Sequence, residues 1–183
     1  TLTPTVADAT ATVKVNTVTV ASGSPSSPIA LAVGSNVITT VVTAQDGTTT
    51  KTYTVTVTRA GSNVTTLSNL VVSAGALSPS FTSLTTSYTV SVPNATTSTT
   101  VTPTLTDSNA VVRVNGVIVS SGTPSAAIAL SVGSNVITTL VTAQDGVSTR
   151  TYTITVTRAP SNNADLSNLV PSTGGLTPAF ASA

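Results

Sequence analysis

The sequence predicts an all-β protein made of two-layer sandwich modules, and three observations support this prediction. Apolar and hydroxyl side chains alternate along several segments, as they do in half-buried strands. Threonine accounts for 41 of the 183 residues, and this β-branched residue favours extended backbone. Residues 1–84 also align without a gap with residues 100–183, and 54 of these 84 pairs are identical. The sequence therefore predicts a tandem array of one all-β unit.

The clearest single element is a long hairpin at 129–158, which recurs with few changes at 30–59. In its second arm Tyr152, Ile154 and Val156 alternate with threonines, so one face is apolar and the other carries hydroxyl groups. Asp145-Gly146 supplies the positive-φ turn chemistry that joins the two arms. The pattern predicts a pair of antiparallel strands with one buried face.

The period of the repeat sets the predicted domain organisation. A spacing of 99 residues with several short strands matches an immunoglobulin-type β-sandwich, which has about 100 residues. Linker-like stretches follow each long hairpin, at residues 61–63 and 160–163. We therefore expect one complete module at 65–159, the C-terminal part of another at 1–60, and the N-terminal strands of the next at 161–183.

Within the complete module the pattern predicts strands and no helix. The expected strands lie near 67–73, 86–92, 98–105, 110–114, 117–120, 127–131, 135–143 and 149–158. Asn115-Gly116 predicts a type I′ hairpin turn, in which both central residues have positive φ. The first copy has Asn16-Thr17 at this place, and a β-branched residue disfavours positive φ. That turn is expected to be longer or strained.

Several segments of the complete module occur together, in this order, in a known family. They are Leu67-Ser-Asn-Leu, Gly75-Ala-Leu-Ser-Pro-Ser-Phe81, Tyr88-Thr-Val-Ser-Val-Pro, Val114-Asn-Gly, Val132-Gly-Ser-Asn-Val-Ile, Ala143-Gln-Asp-Gly and Tyr152-Thr-Ile-Thr-Val-Thr-Arg158. The module resembles the bacterial cadherin-like β-sandwich domain, an immunoglobulin-like module found in tandem in large surface and secreted proteins. The resemblance implies the sandwich fold and an extracellular or cell-surface location. Such modules serve as spacers, stalks, adhesin repeats or attachments to extracellular enzymes.

Composition argues against most catalytic chemistry. The sequence has no Cys, His, Met or Trp, so it cannot form disulfides, thiol nucleophiles, Cys/His zinc sites or a Ser-His-Asp triad. Charged residues are 6% of the chain, against roughly 25% in an ordinary soluble domain. A net charge of +1 without a basic cluster gives no footprint for nucleic acid, and no apolar run reaches the ~20 residues of a membrane span. We expect no enzyme, and no catalytic, cofactor or metal site.

The family name suggests calcium, but the five carboxylates are scattered. Asp46 and Asp145 are explained by the hairpin turns, and Asp8 and Asp107 by loop starts. Asp165 has Thr66 as its counterpart, so a linker site would lack its equivalent in the other copy. Hard cations need several clustered oxygen ligands. These aspartates are therefore interpreted as turn residues.

Other side chains were weighed for function in the same way. Lys14 and Lys51 could form an internal Lys–Asn amide, but Arg113 and Arg150 replace them in the complete module. Three tyrosines could stack on sugar, although the simpler interpretation is a core ring with its hydroxyl bound to a loop: Tyr53, Tyr88 and Tyr152. Phe81 and Phe180 are expected to close one end of the sandwich. Asn63 and Asn94 begin glycosylation acceptor patterns, which occur by chance in a threonine-rich chain.

Two functions remain open from the sequence. The first is a structural repeat of an extracellular filament, sheath, surface layer or large adhesin that meets identical or tandem modules. Its ends would either continue covalently or let 161–183 of one subunit add to 1–60 of the next as a strand, although neither fragment contains a counterpart of 85–99. The second is a spacer or carbohydrate-binding module of a secreted polysaccharide-degrading enzyme, with glycans as partners.

Overall fold

The computed structural model describes residues 1–175 and 178. All of the regular secondary-structure elements within these residues are β-strands. This confirms the all-β prediction. The strands in chain order are β1 (Thr12–Val15), β2 (Val18–Val20), β3 (Gly34–Thr43), β4 (Thr50–Arg59), β5 (Leu67–Val72), β6 (Ser87–Val92), β7 (Ser98–Thr99), β8 (Val101–Leu105), β9 (Val111–Val114), β10 (Val117–Val119), β11 (Ile128–Ala129), β12 (Gly133–Thr142) and β13 (Thr149–Arg158).

The chain divides into two compact units. The first contains residues 1–64 and the short turn 143–148, and the second contains 65–142 and the chain from 149 onwards. The module boundaries expected from the sequence remain predictions. Residues 161–175 contain no strand, and Phe180 lies outside the described residues.

In the second unit, a five-stranded sheet in the order β10-β9-β12-β13-β6 packs against the two-stranded sheets β5-β8 and β11-β7 to form the sandwich. β13 pairs antiparallel with β12 over ten positions and parallel with β6 over six. Ile154 and Val156 alternate with threonines and are fully buried, as the strand pattern predicted. β13 is therefore held on both edges.

One predicted strand is divided in the structure. Residues 98–105 were expected to be continuous, but β7 pairs with β11 whereas β8 pairs with β5. The break falls at Thr100, whose N–H instead donates to Ser73 Oγ at 2.8 Å. The remaining predicted strands are confirmed to within two residues at each end.

Two tyrosine rings lie in the core of the second unit, as the simpler interpretation of these residues predicted. The Tyr152 hydroxyl donates to the carbonyl of Ser83 at 2.7 Å and accepts the N–H of Leu67 at 3.0 Å. The Tyr88 hydroxyl lies 2.7 Å from the carbonyl oxygen of Thr85. Phe81 stacks on the Tyr88 ring with a centroid distance of 6.1 Å and lies tilted against the Tyr152 ring at 6.3 Å. Each phenol thus ties a loop to the core.

The first unit contains a four-stranded sheet in the order β2-β1-β3-β4. Its strands have the same bounds as β10, β9, β12 and β13 after a shift of 99 residues, as the alignment of the two copies predicted. Val13, Val15 and Ile38 are buried on one face of this sheet. The first unit thus contains the late strands of the sandwich.

The turn between β1 and β2 and the turn between β9 and β10 have the same length. Asn115 and Gly116 have φ values of 46° and 83°, which confirms the predicted turn. Asn16 and Thr17 have φ values of 43° and 74°, and Val15 still pairs with Val18. The expectation of a longer turn is therefore wrong, and the expectation of strain is confirmed.

Replacing Thr17 with glycine should stabilise the first unit. A left-handed conformation costs a residue with a Cβ about 1–2 kcal/mol, and the greater freedom of unfolded glycine offsets part of this gain. We expect Thr17→Gly to raise the free energy of opening of β1 and β3 by about 1 kcal/mol, measured by amide hydrogen exchange.

Gly116→Thr is the matched control in the second unit, where a new Cβ would meet nothing within 4 Å. This substitution should lower the free energy of opening of the second unit by a similar amount, through backbone strain alone. Equal exchange rates in Thr17→Gly and the wild type would contradict this explanation.

Aspartates organise the long hairpin loops, as expected. The carboxylate of Asp46 accepts the N–H groups of Thr48 and Thr49 at 2.9 and 2.8 Å and the Thr49 hydroxyl at 2.6 Å. The Thr49 hydroxyl, followed by the two N–H groups, lowers the pKa of Asp46 to about 2. Asp145 is capped in the same way by Ser148 and Val147, which also lowers its pKa. These loops are more stable when the aspartates are charged.

Acid should therefore weaken both hairpin loops over a defined range. The pKa of each aspartate is lower in the folded chain than in the unfolded chain, so the charged carboxylate stabilises the folded state. This contribution is complete above the unfolded pKa near 4 and is lost as the pH falls towards 2. We expect the melting temperature to stay level from about pH 7 to 5, because the chain has no histidine, and to fall below about pH 4.

An Asp46→Asn/Asp145→Asn variant should show a smaller fall in acid. Asp165→Asn is the charge control, because the Asp165 side chain accepts no hydrogen bond from the described residues. A double variant with the wild-type acid dependence would show that these carboxylates are not responsible.

Candidate strand-acceptor groove

The residues weighed for chemistry lie apart in the structure. Within residues 1–175 and 178, no three Asp side chains lie close enough to hold a metal ion. Lys14 and Lys51 are exposed, whereas a Lys–Asn amide needs a buried amine. Asn94 uses its side-chain amide to donate to the carbonyl of Ala159 at 3.1 Å. The feature that remains is a groove in the first unit.

The groove is recognised by comparing equivalent residues of the two units. Tyr53 is 49% exposed, whereas its counterpart Tyr152 is fully buried. Val55 is 41% exposed, whereas Ile154 is fully buried. In the second unit, β5, β6 and the loop between them help to form the core around these positions. In the first unit the described residues leave the apolar face of β4 open at Tyr53 and Val55.

Residues 2–6 form the opposite wall of the groove and have the sequence pattern of β8. Leu2, Pro4 and Val6 are half-buried and alternate with exposed threonines. They are held from one side, because the carbonyls of Leu2 and Pro4 accept N–H groups of the loop at residues 22–26 at 2.8 Å. The cavity between this wall and β4 has a volume of about 610 Å³.

Two backbone edges beside the groove have no strand partner among the described residues. In the second unit, Thr102 and Thr104 pair with β5. Their counterparts Thr3 and Thr5 belong to no strand, and their backbone groups make no hydrogen bond within the part of the chain that the structure describes. β4 likewise has β3 on one edge only. A sheet edge of this kind can accept an added strand.

The lining of the groove is almost neutral. Leu2, Pro4, Val6, Tyr53 and Val55 supply apolar surface. Lys51 lies at the rim with its ammonium nitrogen 5.3 Å from the centroid of the Tyr53 ring. Asp8 also lines the groove, and the Thr10 hydroxyl and N–H lower its pKa. An uncharged, apolar strand fits this lining better than an ionic ligand does.

A matching apolar segment lies near the end of the described chain. Residues 166–170 have the same sequence as the first five residues of β5, but they form no strand. Leu166, Leu169 and Val170 are all more than half exposed. In β5 the equivalents of both leucines are buried, because that strand pairs with β8 and covers the core.

Sequence reasoning found part of this site. It expected exposed sheet edges in 1–60, but it treated Tyr53 and Tyr152 as equivalent. Nothing in the local sequence separates them, because β4 and β13 are nearly identical.

The described residues contain no helix that is long and apolar enough to cross a membrane. A curated relative from Evansella cellulosilytica, described as "Putative membrane protein", is 43% identical over 97 residues. The match covers 53% of this chain and 14% of the relative, so the chain spans a small part of that protein.

Among solved structures, the chain is similar to one described as "Structures of Clostridium thermocellum CbhA fibronectin(III)-like modules". The two are 16% identical, with 87% of this chain and 82% of the other covered and a TM-score of 0.26.

The family model described as "Cadherin-like beta sandwich domain" matches residues 1–60 and 67–159, which is most of the chain. These matches agree with the all-β sandwich of the structure and with the segments that carried the resemblance in the sequence. The chain therefore belongs to the cadherin-like beta sandwich domain family.

Proposed function

We propose that this chain is a non-catalytic structural part of an extracellular filament, sheath, surface layer or large adhesin, in which modules follow one another head to tail. The single observation that carries the proposal is the parallel pairing of β6 with β13, residues 87–92 with 153–158. A parallel pair between an early strand and the last strand of a module is suited to bear tension along the chain.

The physical reason lies in the direction of the load. A pull on the loop before β6 and on the chain after β13 loads β6 from its N-terminal end and β13 from its C-terminal end. Because the strands are parallel, this load shears the ladder, so its hydrogen bonds share the force instead of breaking one after another. β13 also keeps ten antiparallel pairs with β12 on its other edge. The second unit should therefore resist extension.

The surface chemistry supports the same role. β13 exposes Thr149, Thr151 and Thr157, and charged residues are only 6% of the chain. Hydroxyl groups hydrate this surface without adding net charge, so neighbouring copies repel one another weakly. This suits modules that pack side by side outside the cell.

The direction of the load can be tested with cysteine handles, because the chain has no native cysteine. In the full chain, Ser87→Cys/Ala159→Cys loads the β6–β13 ladder in shear, whereas Pro93→Cys/Ala159→Cys opens it from one end. All three positions are exposed. We expect a several-fold higher rupture force for the first pair in single-molecule force spectroscopy. Equal forces in the two geometries would refute a tension-bearing role.

A spacer or carbohydrate-binding module of a secreted polysaccharide-degrading enzyme is the second candidate, and the exposed ring of Tyr53 favours it. We expect this function to show as retention on insoluble glycans that Tyr53→Ala abolishes. Tyr152→Ala cannot serve as the probe, because the Tyr152 ring is fully buried and its removal would damage the core. Retention that is unchanged in Tyr53→Ala would exclude sugar stacking on this ring.

A further inference from the structure

We propose that Asn115, in the turn between β9 and β10, is a site of spontaneous covalent modification that converts the asparagine to aspartate and isoaspartate without an enzyme. The inference goes beyond the proposed structural function and does not rest on it. Asparagine is a thermolabile residue. Asn115 is the only asparagine of the sequence that is followed by glycine, which leaves the next backbone nitrogen unhindered.

The reaction is an attack of the backbone on the side chain. The nitrogen of Gly116 bonds to the side-chain carbonyl carbon of Asn115 and passes its proton through water to the side-chain amide, which leaves as ammonia. The product is a succinimide ring. Water then opens this ring: cleavage at the former side-chain carbonyl gives aspartate, and cleavage at the former main-chain carbonyl gives isoaspartate. Water is the only co-reactant, and the nearness of the reacting groups within one chain supplies the rate advantage.

The turn leaves the reacting groups accessible. Asn115 and Gly116 are exposed, and a Cβ added to Gly116 would meet nothing within 4 Å. The Gly116 N–H and the Asn115 side-chain NH2 donate no hydrogen bond to the described residues, so neither the attacking nor the leaving nitrogen is held. The Asn115 side-chain oxygen accepts the N–H of Thr138 at 2.9 Å. This donor stabilises the negative charge that develops on the oxygen during the attack.

The hairpin around this turn can also open. β10 pairs with β9 at three positions and has no partner on its other edge among the described strands. A short edge hairpin opens more readily than the strands of the core. Opening gives the Gly116 nitrogen the backbone conformations from which it reaches the Asn115 side chain.

The turn between β1 and β2 is an internal control for this reaction. Asn16 has a φ of 43°, against 46° for Asn115, and its side-chain oxygen accepts the N–H of Thr39 at 3.0 Å. The next residue is Thr17, whose branched side chain crowds the attacking nitrogen and restricts the backbone. Asn16 should therefore convert more slowly than Asn115, although the two turns have the same geometry.

The Asp-Gly pairs of the long hairpins could form the same ring, but their reacting groups are held. In the second unit's hairpin, the N–H of Gly146 donates to the carbonyl of Ala143 at 3.0 Å. The carboxylate of Asp145 accepts two N–H groups and the Ser148 hydroxyl. A charged carboxylate also resists nucleophilic attack. The structure therefore distinguishes Asn115 from these pairs.

The two products differ in their effect on the hairpin. Aspartate keeps the side-chain oxygen that accepts the Thr138 N–H. In isoaspartate the main chain runs through the side-chain carbonyl carbon, so the turn gains one backbone atom and Val114 can no longer stay in register with Val117. We expect isoaspartate to release β10 from β9 while β12 and β13 remain paired.

The test is prolonged incubation of the full chain in mildly alkaline buffer, followed by unfolding, trypsin digestion and mass spectrometry. Trypsin releases the peptides 15–51 and 114–150, which carry one turn each. The mass change from amide to acid measures the conversion of Asn16 and Asn115, and a methyltransferase specific for isoaspartate labels that product. We expect both acids to accumulate at Asn115 at least several-fold faster than at Asn16.

Two reciprocal variants show whether the following residue controls the rate. Gly116→Thr should slow the conversion of Asn115 to the rate of Asn16, and Thr17→Gly should raise the rate of Asn16 several-fold. Each variant places at one turn the residue that the other turn already holds at a similar φ, so folding is preserved. Equal rates at Asn115 and Asn16 in the wild type would overturn the proposal, and so would an unchanged rate at Asn16 in Thr17→Gly.

A second measurement checks the structural consequence. In the incubated full chain, molecules that contain isoaspartate should exchange the amide hydrogens of Val117 and Val119 several-fold faster than fresh protein, with exchange in β13 unchanged. Unchanged exchange in β10 would overturn the proposed release of this strand. The force comparison uses β6 and β13 and does not involve this turn, so failure here and failure of the tension-bearing role can be told apart.

Discussion

The constraint on which this structure depends is that the apolar face of the last long strand must be covered. In β13 this face carries Tyr152, Ile154 and Val156, and all three side chains are removed from water. The cover includes β5, while β6 pairs with the edge of β13 in the same sheet, and both strands precede β13 by more than fifty residues in sequence. The Tyr152 hydroxyl links the cover to the strand, because it bonds both to the start of β5 and to the loop before β6. Where the described residues provide no such cover, the equivalent face is open.

The first unit shows the consequence. β4 has nearly the sequence of β13 and the same bounds after the shift, yet Tyr53 and Val55 are exposed. The difference lies in the neighbours, since burial depends on which segments pack against a face. An apolar face next to an open strand edge is a place where another strand can bind.

Threonine makes this architecture possible with few charges. Its methyl group and β-branch favour strands, while its hydroxyl hydrates the outer face. Thr17 shows the limit of this usage, because it occupies a left-handed position at φ 74° where the other copy has glycine. The turn keeps its length because the flanking pairs from Val13 to Val20 hold the hairpin in register. Local backbone preference is overridden there by strand pairing.

The sequence by itself determined the strands, the turns and the family resemblance, because alternation of apolar and hydroxyl residues and Asn-Gly or Asp-Gly pairs act over a few neighbouring residues. It did not reveal that residues 98–105 divide between two sheets, because the choice of partner depends on β5 and β11, which are distant in sequence. Nor did it separate Tyr53 from Tyr152, since nearly identical local sequences become a buried anchor or an open groove according to what packs on them. Only the tertiary structure decided that, because burial is a property of contacts between distant segments.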